Sequence, residues 1–192
     1  MNTPNKLTVA RMIATPIFMF FMLAEFIPYR FTVALILFIA ASITDYIDGN
    51  MARKQGIVTD FGKFLDPLAD KMLTTAAFIG LMASGIGYGM AAVLFIVLFR
   101  EFLVSSLRLV TLSSGGKVVA ANIWGKLKTV TQMVAIIFGI FTLALVCDFS
   151  LVVVAPLFNI ITTVLVWVST ILCAVSGGIY LFECKDFIDP RK

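Results

Sequence analysis

The chain of 192 residues contains no histidine. That excludes histidine-based nucleophilic and acid–base mechanisms and leaves carboxylates to carry out any proton transfer. Charge is scarce too: 14% of the residues are charged against 60% apolar, and the mean hydropathy is +1.03. A soluble domain of this length neither needs that much apolar surface nor can hide it. Cysteine is limited to Cys147, Cys173 and Cys184. The number is odd and two of them fall in apolar runs, so they read as small buried hydrophobes rather than a disulfide framework. There is no low-complexity segment, long linker, convincing internal repeat or aromatic-basic RNA motif, and residues 1–192 read as one domain.

What the chain does have is long apolar runs. A membrane-spanning helix needs about 20 apolar residues, and six stretches qualify, at roughly 8–27, 31–50, 64–84, 89–109, 126–147 and 152–182. In lipid every span must be helical or part of a closed barrel. These runs are too long and continuous for alternating barrel strands. The expected fold class is therefore all-α, a polytopic integral membrane protein with six transmembrane helices. The run opening with Lys6 and Arg11 lacks a small-x-small cleavage site, so it reads as a retained span rather than a signal peptide.

Six spans place the N-terminus, the 51–63 and 108–126 loops and the C-terminus on one side. Of the fifteen Lys and Arg residues, only Arg30 falls clearly on the other. The positive-inside rule puts the basic side in the cytoplasm. The net charge of +4 belongs to this belt and suits anionic headgroups or phosphates rather than nucleic acid. Gly85, Gly87 and Gly89 mark a tight outer turn, and Asp148 falls in the outer turn before the last span. Pro156 is expected in the first turns of that span, where proline is tolerated. Trp124 and Tyr180 fall at expected headgroup levels, as anchors.

The acids are concentrated. Asp45, Asp48, Asp66 and Asp70 form the pattern D-x2-D-G-x2-A-R-x8-G-x3-D-x3-D, with Gly49, Ala52, Arg53 and Gly62 at its other fixed positions. So many carboxylates at a membrane surface cannot all stay ionised unless cations share them. Asp45 and Asp48 are three apart and Asp66 and Asp70 four apart, so each pair shares a helix face. The short connection predicts antiparallel neighbours whose carboxylates converge at the cytoplasmic surface. Hard oxygen ligands suit Mg²⁺ or Mn²⁺, and two metals about 3.5–4 Å apart are a familiar arrangement in phosphoryl chemistry.

Gly49 lets a ligand approach the backbone, Ala52 and Gly62 leave clearance one turn from an aspartate, and Arg53 can hold a diphosphate or pair with an acid. The third helix either starts near Thr59 or Asp60 with a bend at Pro67, or is capped by Asp66 with Pro67 at its first position. The bland alternative is a solvated loop in which the acids pair with Lys54, Lys63 and Lys71. Interfacial acids are by default functional candidates.

This run resembles the signature of the CDP-alcohol phosphatidyltransferase family at each fixed position, and the six-helix layout is similar as well. The resemblance implies two divalent cations that hold the CDP diphosphate of the donor, CDP-diacylglycerol. It implies Asp45, Asp48, Asp66 and Asp70 as metal ligands, with Asp70 also the base that deprotonates the acceptor alcohol. Gly49, Ala52 and Arg53 would face the CDP part. A homodimer is expected from the family and from the apolar surfaces left on six short helices.

The acceptor is marked less sharply. Arg100 and Arg108 are eight apart and share a face of the fourth helix, and Lys126 opens the fifth, whereas Lys128 is expected to point elsewhere. An anionic acceptor such as a sugar phosphate or glycerol phosphate fits Arg100, Arg108 and Lys126, arginine supplying a planar fork. Arg108, Lys117 and Lys128 can also serve the positive-inside pattern alone, and Arg100 can pair with Glu101 or an aspartate.

Residues Asn2 to Arg11, Arg100-Glu101-Phe102 and Gly125-Lys126-Leu127-Lys128-Thr129 are similar to segments of bacterial phosphatidylglycerophosphate synthases, a branch of the same family. That similarity favours sn-glycerol 3-phosphate as acceptor, places Asn5, Thr8 and Arg11 near the nucleotide or phosphate end, and implies a bacterial plasma membrane. The expected reaction is transfer of phosphatidyl from CDP-diacylglycerol to glycerol 3-phosphate by two-metal in-line displacement, releasing CMP. The alternatives are another acceptor, such as inositol phosphate or serine, and a cation transporter or sensor. A transporter needs its acids nearer the midplane and a path to both faces.

Overall fold

The computed structural model describes residues 3–55, 60–113 and 123–184, with side chains described there except at 3–5, 45–55, 60–64, 66, 67, 112 and 113. These residues form α1 (Thr3–Leu23), α2 (Arg30–Gln55), α3 (Asp60–Ala83), α4 (Met90–Ser113), α5 (Ile123–Leu143) and α6 (Ala155–Cys184). There is no strand among them. The last turn of α5 widens into a π-turn over Ala144–Asp148, and a short 3₁₀ turn, Val152–Val154, leads into α6. Pro156 is the second residue of α6, where its missing N–H has no intrahelical partner to lose.

Among the described residues, four stretches are long and apolar enough to cross a membrane: Lys6–Leu23, Met90–Thr111, Ile123–Asp148 and Val152–Cys184. In α2 the described apolar part is Arg30–Thr44. Among the described residues the fold is thus all-helical, and four helices have the length and composition of a membrane span; the expected count of six goes beyond these four.

The ambiguity over the third helix resolves towards the early start. It begins at Asp60 and carries Pro67 inside it, so Asp66 and Asp70 lie on one helix. Helix α2 continues through Gln55, so Asp45, Asp48, Gly49, Ala52 and Arg53 lie on one helix too.

Helix α1 packs against both α2 and α3, α5 packs along α6, and α4 lies on α6. Their shared interior is built from Phe18, Phe31, Phe38, Phe78, Leu81, Ile136, Ile140 and Val166, all almost wholly buried. Aliphatic and aromatic side chains dominate because a helix crossing lipid gains its association from close packing rather than from leaving water. Gly139 shows how close: a Cβ there would stand 3.0 Å from Leu81 Cδ2 and 3.2 Å from Thr162 Cγ2. Buried hydroxyls in this interior donate back to the carbonyl one turn earlier, as Thr111 does to Leu107 and Thr170 to Val166. No polar atom of theirs is therefore left to the lipid.

The ends of the bundle differ in character. At one, Gly85, Gly87 and Gly89 all take positive φ, and the turn is tied to α6. Gly87 N–H donates to Asn159 Oδ1 at 2.7 Å, and Trp167 Nε1 donates to the Tyr88 carbonyl at 2.9 Å. There too, Asp148 Oδ2 accepts from the Thr32 backbone N–H and from Thr32 Oγ1, both at 2.7 Å. An acid from the end of α5 thus caps the start of α2, where the helix leaves its first N–H groups without partners. The opposite end holds the C-terminal halves of α4 and α6 and the N-terminal halves of α3 and α5, and it carries the polar cluster.

Candidate active site

A cavity of about 1140 Å³ opens between α1, α3 and α4. Its flank is apolar, with Met12, Met19, Leu68, Ile79, Leu98 and Leu109, whereas Asp70, Lys71, Arg100, Glu101, Ser105 and Arg108 form its polar part. The volume exceeds the roughly 300–1,000 Å³ of an ordinary small-ligand pocket. A greasy flank beside a charged patch suits an amphiphile with a polar head.

Three cations meet one carboxylate beside this polar part, Lys71 and Arg100 from its lining and Lys128 from behind it. Glu101 Oε1 accepts from Lys128 Nζ and, at 3.0 Å, from Arg100 Nη1, while Lys71 Nζ stands 3.6 Å from Oε2. Lys71 also donates to Ser105 Oγ, which in turn donates to the Glu101 carbonyl at 2.7 Å. Arg100 Nη2 donates to Ser176 Oγ of α6 at 3.0 Å. One carboxylate cannot neutralise three cations, so the cluster keeps net positive charge in a partly desolvated place. Such a place favours a phosphate over a neutral ligand.

Several residues singled out from sequence are brought together here. Asp70 is exposed on α3 and lines the cavity together with Arg100 and Arg108. The side chains of Asp45, Asp48, Asp66, Gly49, Ala52 and Arg53 lie outside the described residues; their backbones place them on α2 and α3. Lys126 is exposed at the start of α5 and is not among the residues lining the cavity. The fifth-helix lysine that turns inward is Lys128, 10% exposed at its side chain, contrary to the expectation that it points away. Tyr180 likewise is no lipid-facing anchor: it is buried with Val104, Leu107 and Cys184. Thr8 and Arg11 are both buried on α1.

Lys71, Lys128, Ser105 and Ser176 were not picked out as site residues by sequence reasoning. For Lys128 a signal existed. It shares one stripe of α5 with the buried Gln132, Ala135, Ile136 and Gly139, which is the spacing of a helix's inward face. For Ser176, the neighbouring Gly177 signals close helix approach inside an uncharged span. Lys71 and Ser105 have no such local signature, because their meeting depends on how α3 sits against α4.

Among the described residues, no three His, Cys, Asp or Glu side chains gather; of the aspartate run only the Asp70 side chain is among them. On α2, Asp45 and Asp48 share a face, as do Asp66 and Asp70 on α3. Carboxylate oxygens are the kind of ligand that hard divalent cations prefer.

A helical membrane bundle with an amphiphilic cavity, a carboxylate run and a phosphate-attracting cluster defines a class of lipid-headgroup transferase. The chain belongs to the CDP-alcohol phosphatidyltransferase family, whose profile matches residues 1–175. Members of this family generally depend on a divalent metal. The chain is 48% identical over 146 residues to the CDP-diacylglycerol–glycerol-3-phosphate 3-phosphatidyltransferase of Bacillus subtilis (strain 168), covering 70% of this chain and 74% of that protein. It is 35% identical over 192 residues to the protein of the same name from Rickettsia bellii (strain RML369-C), covering 97% of each. A probable phosphatidylglycerophosphate synthase of Mycobacterium tuberculosis (strain CDC 1551 / Oshkosh) is 42% identical over 147 residues, 75% of this chain and 67% of that protein.

Proposed function

We infer that the chain is a CDP-diacylglycerol–glycerol-3-phosphate 3-phosphatidyltransferase, which transfers phosphatidyl to sn-glycerol 3-phosphate and releases CMP. The observation that carries the reading is the single cavity shared by Asp70, Arg100 and Arg108, in a chain similar over most of its length to proteins of that name. The acyl chains of the donor stay in the bilayer beside the apolar flank, and its diphosphate lies at the polar end. Arg53, with Gly49 and Ala52 leaving room, faces the CDP part.

Arg100 and Arg108 receive the phosphate of the acceptor, with Lys126 at the entrance and Lys128 and Lys71 adding to the positive field. Asp70 accepts the proton of the acceptor hydroxyl on a carboxylate oxygen. The resulting alkoxide forms a bond to the lipid-side phosphorus as the bond from that phosphorus to CMP breaks. Because this displacement is direct, it needs no nucleophilic side chain and suits a chain without histidine. Asp45, Asp48, Asp66 and Asp70 would hold two Mg²⁺ or Mn²⁺ ions, which, when bound, supply Lewis-acid stabilisation of the phosphoryl oxygens and of departing CMP.

In this reading α2 and α3 complete six crossings of one domain, with the aspartates on the cytoplasmic face of a bacterial plasma membrane. The positive-inside pattern of the loops supports that orientation. A homodimer is the proposed assembly, supported by the family resemblance and the apolar outer helix faces.

The test is CMP release from CDP-diacylglycerol by the purified chain in detergent, with Mg²⁺ and glycerol 3-phosphate, serine or inositol phosphate. Release that requires both metal and glycerol 3-phosphate, and is abolished by chelator, is the expected result. Release with another alcohol moves the acceptor assignment, and no release with any of them by folded protein overturns the reading.

A further inference from the structure

The stem of Arg100 lies against the backbone of α6 at Gly177. A Cβ added there would stand 2.7 Å from Arg100 Cγ and 3.7 Å from its Cβ. Real Cβ contacts do not come so close, so any larger residue pushes the arginine away. One residue earlier, Ser176 is buried and its Oγ accepts the 3.0 Å hydrogen bond from Arg100 Nη2. On the far side of Ser176 stands Gly125 of α5, where an added Cβ would lie 3.8 Å from Ser176 Oγ. Glu101 holds the other terminal nitrogen, Nη1, at 3.0 Å. The guanidinium is therefore gripped at both ends by different helices, while its stem runs in a slot that only glycine leaves open.

We propose that Ser176 and Gly177 are positioning residues for the acceptor: they hold Arg100 in the orientation that presents it to the acceptor phosphate. The proposal rests on the reading of Arg100 as an acceptor-phosphate residue. An arginine side chain is long and has many rotamers, so a fixed one loses less freedom when it captures its anion. Neither residue touches the cavity's reacting groups; both act through Arg100. Gly178 provides the internal comparison, since a Cβ added there meets nothing within 4 Å.

The experiment uses the full chain in detergent and measures CMP release while glycerol 3-phosphate and CDP-diacylglycerol are varied separately. Ser176→Ala and Gly177→Ala are each expected to raise KM for glycerol 3-phosphate about tenfold, the scale of one charged hydrogen bond. KM for CDP-diacylglycerol should stay within about twofold, because the loss falls on one substrate. Ser176→Thr, which keeps the hydroxyl, should restore the acceptor KM, and Gly178→Ala should behave as the parent protein. An unchanged acceptor KM in Ser176→Ala overturns the proposal, as does an equal change for both substrates. If Gly177→Ala does not fold, the Ser176→Ala and Ser176→Thr pair decides alone. Arg100→Ala separates the two levels of inference. A raised acceptor KM there with a normal Ser176→Ala overturns only the positioning role, whereas an unchanged KM in Arg100→Ala overturns the acceptor reading and the positioning role with it.

Discussion

Lys128 of α5 donates a charged hydrogen bond to Glu101 of α4, and Arg100 shares the same carboxylate oxygen at 3.0 Å. The pair ties two helices together in the half of the bundle that holds the polar part of the cavity. It also limits, without cancelling, the positive charge there. Glu101 is thus a keystone whose loss leaves buried cations facing one another.

Replacing Glu101 by Gln is expected to destabilise the protein by about 3 kcal/mol, the scale of an ion left behind in a buried pair. Lys128→Met should cost a similar amount, and the double variant less than the sum of the two. A double-mutant cycle on detergent unfolding should return a coupling of about 2 kcal/mol; additive effects would remove Glu101 from its central place.

Lys126 and Lys128 are two residues apart and face differently, one exposed and one buried. Lys128→Met is therefore expected to lower kcat/KM for glycerol 3-phosphate by at least about tenfold, because Lys128 shares the Glu101 carboxylate with Arg100 and its loss alters the charge beside that arginine. Lys126→Met should lower it only about two- to threefold, as an exposed charge does. The reverse order would place the acceptor nearer the start of α5 than the cavity suggests.

Asp70 is the described aspartate that lines the cavity with both arginines. Asp70→Asn keeps the shape and removes the basic oxygen, so turnover should fall by at least about a thousandfold, within the range of lost general-base catalysis. CDP-diacylglycerol binding, followed by protection against thermal unfolding, should weaken only modestly. Near-normal CMP release by this variant would remove Asp70 as the base.

At the other end of the bundle, Asp148→Ala removes both acceptor contacts to Thr32. The loss should be about 1–2 kcal/mol, as for a helix N-cap, and Tm should drop by a few degrees. KM for both substrates should remain unchanged below that temperature, because the cavity lies at the opposite end. A changed acceptor KM would show that the two ends are coupled.

Gly89 has φ +73°, and a Cβ there would stand 3.0 Å from the Trp167 ring. Gly89→Ala is therefore strained in both backbone and packing, and a loss of about 1–2 kcal/mol from the backbone alone is expected. Gly178→Ala, in open space on a helix, should be neutral or slightly stabilising. Thermal unfolding of the two variants side by side checks the contrast.

Much of the architecture was legible in the residues themselves. Apolar runs of span length dictate helices, since lipid offers backbone groups no other partners. The glycine turn at 85–89 was visible because positive φ selects glycine, and the helix beginning at Ala155 accommodates Pro156 as its type requires. The placement of the aspartate run on two helices was legible as well, Asp45 and Asp48 on α2 and Asp66 and Asp70 on α3. The number of spans was less legible, because α2 and α3 carry the acids of the run inside helices that are otherwise largely apolar.

What the sequence by itself determined was the solvent of this protein, its helical class and the residues able to bear charge within it, because these follow from composition and from spacing along single helices. Which of those residues meet was decided only by the packing of one helix on another. Lys71 from α3, Glu101 from α4 and Lys128 from α5 come together across chain separations that no periodicity encodes, and Gly177 matters only because Arg100 of another helix lies against it. A local pattern fixes the face on which a side chain stands; the neighbour it finds there depends on close packing, and that is a property of the whole bundle.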